Sequence, residues 1–192
     1  QANLLAGGPA YATEAARTTA IPSPFEGQRA YITGSTVTAA TGTTTAVPTG
    51  IQSIYNGAAW TTVTPVGAYS NTSASTTSTT YVNTLTSDAT AISVTLATGT
   101  TALLMLAAAA TNATVGAAAW LTFAVSGATT VAAADAQGIG VNITAASASA
   151  TLSRTFVYTG LTAGTNTFTL NYRTTSGTVV FAGRNLTAQA VA

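Results

Sequence analysis

Cysteine, histidine and lysine are all missing from this 192-residue chain, and each absence removes a chemistry. Without His there is no Ser-His-Asp triad, without Cys no thiol nucleophile, and without Lys no Schiff base or Ser-Lys dyad. Zinc sites draw on Cys, His and carboxylates, and only scattered carboxylates remain. No disulfide or thiol–metal staple is available either. Charge is also scarce. Only 5 % of residues are charged, where a soluble designed surface carries about 25–35 %. The charges are Glu14, Arg17, Glu26, Arg29, Asp88, Asp135, Arg154, Arg173 and Arg184, for a net +1. Phosphate recognition rests on clustered basic residues, so neither nucleic acid nor anionic lipid is an expected partner. Each isolated Arg reads as a solvated or singly paired surface group.

Long apolar runs are absent as well. The longest, A-L-L-M-L-A-A-A-A (102–110), is about half a membrane-spanning helix, which argues against membrane insertion. No phosphate-binding loop occurs, and G-I-G at 138–140 reads as loop glycines. Glycoside hydrolysis needs two carboxylates flanking a bond, and the β-rich region offers only Asp88 (T-S-D-A-T) and Asp135 (A-A-D-A-Q-G). Both contexts read as turn caps. No loop motif supports calcium at Asp135. The expectation is therefore a non-enzyme: no catalytic residues, no cofactor, no metal. Four N-x-[ST] matches, at Asn71, Asn112, Asn142 and Asn185, carry little weight in a chain so rich in Ser and Thr.

What the chain does contain is Thr, Ala, Ser and Gly in strand-like alternation. In A-I-S-V-T-L-A (91–97), Ile92, Val94 and Leu96 alternate with Ser93 and Thr95, the mark of a half-buried strand. Residues 102–110 read as a central strand buried on both faces. A-A-A-W-L-T-F-A-V-S-G (117–127) places Leu121, Phe123 and Val125 on one face and Trp120 on the other. Residues 153–164 and 167–173 form two strands joined by a Gly-bounded loop, with Phe168, Leu170 and Tyr172 facing together. Thr178–Phe181 and Leu186–Val191 complete the set. Short strands at this spacing without amphipathic helices predict an all-β chain with a β-sandwich or jelly-roll domain. The organisation reads as a docking segment at 1–22, a small β-hairpin module at 23–66, a Thr/Ser-rich linker at 67–80 and the sandwich at 81–192. Within the first segment Gln1–Ala6 and Glu14–Arg17 read as helical turns.

The module holds S-I-Y-N-G-A-A-W (53–60). Asn56-Gly57 predicts a type I′ turn, with arms Ile51–Tyr55 and Ala58–Val63. Tyr31, Tyr55 and Trp60 are expected to form the apolar cluster that holds this small sheet, since rings replace aliphatic mass where little can be buried. Trp60, Tyr69, Tyr81 and Trp120 have ring faces able to stack on sugars. In a chain dominated by Ala and Val, such rings read more readily as core or as surface and interface residues. A poorly charged exterior with few edge charges or prolines points to burial against copies of the same chain.

P-F-E-G-Q-R-A-Y-I-T (24–33) followed by S-I-Y-N-G-A-A-W (53–60) resembles a module of tailed-bacteriophage structural proteins, Pro-x-Glu-Gly-Gln-x-x-Tyr-x-Thr and then Tyr-Asn-Gly-x-x-Trp. Pro24, Glu26, Gly27, Gln28, Tyr31, Thr33, Tyr55, Asn56, Gly57 and Trp60 carry the match. Residues 34–50 stand where that pattern usually has a tight turn. Stretches 124–135 and 159–173 are similar to phage virion β domains. The resemblance implies a non-enzymatic virion structural protein, a homotrimeric tail-fibre or minor-tail appendage. Its N-terminal segment would dock on other virion proteins, and its β domain would reach a host-surface glycan. A capsid decoration protein or head fibre is the alternative role. A secreted adhesin or carbohydrate-binding module is the reading from outside the virus.

Overall fold

The computed structural model describes residues 8–33, 44–46 and 50–191. The turn expected over Gln1–Ala6 and most of the 34–50 excursion lie outside these residues. In chain order the elements are β1 (Ala10–Tyr11), α1 (Glu14–Ala20), β2 (Arg29–Ile32), β3 (Thr44–Ala46), β4 (Ile51–Tyr55), β5 (Trp60–Thr62), β6 (Val66–Ser70), β7 (Ala74–Thr76), β8 (Ser93–Thr98), β9 (Thr101–Asn112), β10 (Ala118–Gly127), a 3-10 turn (Asp135–Gln137), β11 (Ile139–Asn142), β12 (Ser149–Thr159), β13 (Gly164–Thr174) and β14 (Val179–Ala190). No helix among them is long and apolar enough to cross a membrane. The protein is all-β, a β-sandwich with a small sheet against it.

One sandwich layer has the order β11-β10-β13-β8; the other runs β12-β9-β14-β6-β3, with β7 also pairing β14. Period-two alternation makes the core. Leu104 and Leu106 of β9, Leu186 of β14, Leu121 and Phe123 of β10, and Phe168, Leu170 and Tyr172 of β13 all point between the layers and are buried. The loop after Thr159 carries the chain from one layer to the other, since β12 pairs β9 while β13 pairs β10 and β8.

Three expectations change. Residues 67–80 are not a linker: β6 and β7 both pair β14, burying Val66, Ala68, Ser70, Ala74 and Thr76 at every second position. The alternation is there, but small and hydroxylated residues give it almost no hydropathy contrast. Thr178–Phe181 and Leu186–Val191 are one strand, β14, whose register slips between Ala182 and Asn185. Gly183 takes φ +56° at this bulge, a conformation an L-residue adopts at a cost. Finally, β9 is central but covered on one face only. Ala102, Leu104, Leu106, Ala108 and Ala110 are buried, whereas Met105 on the other face is 37 % exposed.

The small sheet has the order β1-β2-β4-β5, so the segment before residue 22 contributes a strand, parallel to β2, and a helix capped by the Thr13 hydroxyl. The P-F-E-G-Q stretch is a turn. Gln28 N donates to Phe25 O (3.0 Å), and the Gln28 side-chain carbonyl accepts from Phe25 N (3.2 Å). It then docks on the hairpin through Gly27 N to Tyr55 O (2.8 Å). Ile32 and Ile51 belong to the same buried cluster as the sandwich core, and the Gln189 side-chain amide donates to Val63 O (2.8 Å). The module is thereby packed onto the sandwich.

The hairpin is not a two-residue type I′ turn. Residues 56–59 separate the paired Tyr55 and Trp60, and of Asn56 and Gly57 only the glycine has positive φ, +89°. Asn56 acts through its side chain instead: Oδ1 accepts from Ala58 N (3.1 Å) and Ala59 N (2.9 Å). Asn56→Ala is expected to cost about 1 kcal/mol, a fall in Tm of roughly 2–4 °C by calorimetry. Asn56→Asp, which keeps the acceptor, should lose less; equal losses would show that the amide side chain is not the cap.

Candidate interaction surfaces

In the small sheet the rings of the cross-strand pair Tyr55–Trp60 meet at 5.7 Å between centroids, tilted by 60°. The third member is not Tyr31. Tyr31 is opposite Gln52 in the β2–β4 register, on the face away from Ile51, Ser53 and Tyr55, and is 41 % exposed. Its ring lies against Gly50, where an added Cβ would meet the phenol oxygen at 2.0 Å. Arg17 of α1 fills the place instead, its guanidinium 4.4 Å from the Trp60 ring centroid. Arg17 is buried, and that desolvation lowers its pKa, against the opposing pull of Glu14.

Arg17 and Arg184 thus correct the expectation of solvated arginines. Turned inward by the β14 bulge, Arg184 forms a buried ion pair with Asp88. It also donates to Ser70 Oγ (3.0 Å) and Thr72 O (3.2 Å). Asp88 does cap a turn, accepting from Thr90 N (3.3 Å), but it is chiefly the counter-ion of Arg184. Burial pushes the Asp88 carboxyl up. Hydrogen bonds from Ser70, Arg184 and Thr90 outweigh this and leave its pKa below the ordinary value.

A second cluster lies across the outer face of the β11-β10-β13-β8 layer. Trp120 of β10 is opposite Arg173 of β13 and Gly140 of β11. The guanidinium is 5.0 Å from the Trp120 centroid and 5.3 Å from that of Tyr81. Asp135, at the start of the 3-10 turn, accepts from Arg173 Nε (3.1 Å) and Nη2 (2.6 Å) and from the Tyr81 hydroxyl (2.7 Å). These bonds, led by Arg173, hold its pKa below the usual range. Partial burial, then the bond to Asp135, pushes the Tyr81 phenol up to about 12. A Cβ at Gly140 would sit 2.5–2.6 Å from Cε2 and Cδ2 of Trp120. These are the ring-fusion atoms, reachable only through the indole face, so the ring lies flat on the glycine. The expected surface aromatics therefore divide: Tyr81 and Trp120 come together around Arg173, while Tyr69 belongs to the opposite layer.

That opposite layer presents the third feature. Its outer face carries Leu103, Met105, Ala107 and Ala109 of β9, flanked by Ser153, Thr155 and Val157 of β12 and by Asn185, Thr187 and Gln189 of β14, with Tyr69 of β6 beyond. Val157 is 57 % exposed. Among the described residues no charged side chain is on this face. Solvated faces of antiparallel sheets are ordinarily polar, and the eleven or twelve residues each of β12, β9 and β14 with the five of β6 span about 650 Å².

The two C-terminal carboxylates do not converge on a shared site, since each is engaged by its own arginine. Asn112 is fully buried, its amide bonded to Thr174 Oγ1 (3.1 Å) and Ser176 O (3.1 Å), so that N-x-[ST] match is not a surface acceptor.

Both aspartates titrate below their unfolded value of about 3.9. Their contribution to stability is thus complete above about pH 4 and is lost as pH falls through the lowered folded values. Thermal melts should be flat between about pH 5 and 9 and decline below about pH 4. A transition centred near pH 6.5 would contradict this.

No protein-family model matches the sequence, and no curated protein matches it. The fold is similar to that of Eiger TNF from S. frugiperda, at TM-score 0.47 and 8 % identity over 67 % of this chain and 93 % of that one. It is also similar to a chain of infectious bursal disease virus, Gt strain, at TM-score 0.49 and 9 % identity over 73 % of this chain but 43 % of that one. A third similarity is to TmCBM61, solved with β-1,4-galactotriose, at TM-score 0.31 and 10 % identity over 67 % and 69 %. These likenesses concern strand architecture alone.

Proposed function

We propose that this chain is a non-enzymatic structural subunit of a tailed-bacteriophage particle, a homotrimeric appendage that docks through its N-terminal part and projects its sandwich outward. The observation that carries the reading is the uncharged outer face of the β12-β9-β14-β6 sheet. A face of about 650 Å² per copy approaches the roughly 800 Å² that each partner contributes to a standard stable interface. Its Leu, Met, Val, Ala and Thr side chains need no counter-charge when covered. Sister subunits also account for an exterior so poor in charge. The Glu-Gly-Gln turn locked onto the Tyr-Asn-Gly hairpin makes a rigid junction between α1 and the sandwich, suited to an element that transmits position rather than chemistry.

Four observations test this. Sedimentation equilibrium should return three times the 18.9 kDa chain mass; a monomer at high micromolar concentration overturns the assembly. Cryo-EM of the particle should place the density at the tail. Density on capsomers would instead make the chain a capsid decoration protein, and a gene neighbourhood without portal, capsid or tail genes would favour a secreted adhesin. Hydrolysis of host polysaccharide by purified protein would overturn the non-enzymatic reading.

A further inference from the structure

We infer that the row Tyr81–Arg173–Trp120, with Asp135 set beside it, is a binding platform for a neutral pyranose glycan. Across the sheet the row runs from residue 81 through β13 and β10 to Gly140 on β11, three strand spacings or about 14 Å, room for a short oligosaccharide rather than one sugar. The indole lies flat on Gly140, so its other face is turned away from the sheet. The Arg173 guanidinium lies over the half-buried ring 5.0 Å from its centroid, and a pyranose would stack its C–H face beside that guanidinium. Beside it the Asp135 side chain is 50 % exposed; Oδ1 already accepts two bonds, and Oδ2, which accepts one, has a lone pair left for a hydroxyl donor. The two charges pair with each other, which leaves the platform neutral and favours hydroxylated over anionic sugars.

Stapling loops is not what this row is needed for. The 128–138 loop is already held by Gln137 Nε2 to Phe123 O (2.7 Å) and Thr122 Oγ1 to Ala134 O (2.9 Å). Paired bonds between Val125 and Val131 (2.9 Å each) and the Arg154 bond to Gly138 O hold it further. The segment around residue 81 is anchored by Val82 N to Tyr172 O (3.0 Å) and Tyr172 N to Val82 O (2.8 Å). Two rings and an ion pair are therefore set on a surface that backbone bonds have already fixed. The row is also on the layer opposite the uncharged face and stays open when that face is covered.

The test is affinity electrophoresis of the intact chain through gels containing dextran, yeast mannan or galactan, with polygalacturonate as the acidic control. Retardation by at least one neutral polymer is expected, and none by polygalacturonate. Trp120→Ala should weaken it at least tenfold. Gly140→Ala, which keeps the indole but unseats it, should weaken it severalfold, and Tyr81→Phe, which keeps the ring, should weaken it less. Circular dichroism and melting identify any variant that fails to fold. Quenching of wild-type tryptophan fluorescence by the retarding polymer gives a readout independent of the variants. Absence of retardation in all three neutral gels, retardation by polygalacturonate alone, or unchanged binding by folded Trp120→Ala and Gly140→Ala each overturns the inference. Sedimentation reports on the assembly separately, so the two readings fail independently.

Discussion

Replacing Arg184 with Met is expected to lower the unfolding free energy by about 3–5 kcal/mol, with Tm falling by roughly 6–20 °C. The side chains of Arg184 and Asp88 are 1 % and 2 % exposed. Removing the cation leaves Asp88 with Ser70 Oγ (2.8 Å) and Thr90 N (3.3 Å) as partners and no counter-charge. A buried carboxylate in that position either keeps its desolvation penalty or takes up a proton, and both erode stability. Asp88→Asn should be the milder change, because an amide retains an acceptor for the guanidinium. The informative variant is the double replacement Arg184→Met with Asp88→Leu, which removes both charges and should recover much of the loss, since a buried pair contributes little beyond a well-packed apolar substitute. A coupling energy near zero across this cycle, measured by urea unfolding, would refute the pairing. Gly183→Ala probes the same feature from the backbone. At φ +56° it disfavours the bulge that turns Arg184 inward.

Most strands from residue 91 onward were legible because Ile, Val, Leu and Phe alternate there with Ser and Thr; β11 (Ile139–Asn142) was not, since its start at 138–140 reads as loop glycines. Leu121, Phe123 and Val125 against Trp120, and Phe168, Leu170 and Tyr172 against Arg173, came out on the faces their parity predicts. Where the inward residues are small the signal disappears. Val66, Ala68 and Ser70 are buried, yet V-G-A-Y-S followed by hydroxylated residues has the composition of a linker. Other features arise from geometry that no local pattern encodes. A bulge reverses parity at Arg184, so a buried arginine looks like a turn residue between two strands. Tyr31 shares a module with Tyr55 and Trp60 but falls on the opposite face, and only the β2–β4 register reveals this. The Tyr81 and Arg173 bonds to Asp135 bridge 54 and 38 residues of chain. The rings were visible as aromatics, and their convergence on one ion pair is a product of the sheet order.

A Met105→Lys variant is expected to dissociate the proposed assembly into folded monomers. Met105 stands mid-strand in β9, opposite Thr155 of β12 and Thr187 of β14, with Leu103 and Ala107 two positions away on the same face. An ammonium group there is solvated in the monomer but meets no carboxylate when the face is covered, because the face carries none. Burying an unpaired charge in an interface costs several kcal/mol, at least a hundredfold in Kd. The monomer itself should tolerate the change, since Met105 is 37 % exposed and its side chain points away from the core. Thr165→Lys, an exposed position on the other layer, separates a face-specific effect from a general effect of added charge and should leave the mass unchanged. Sedimentation of both variants at equal concentration decides the matter. Monomeric Met105→Lys with oligomeric Thr165→Lys supports contact through the β9 face. If Met105→Lys keeps the wild-type mass, that face is open to solvent in the assembly, and the continuous apolar run at 102–110 requires a different explanation.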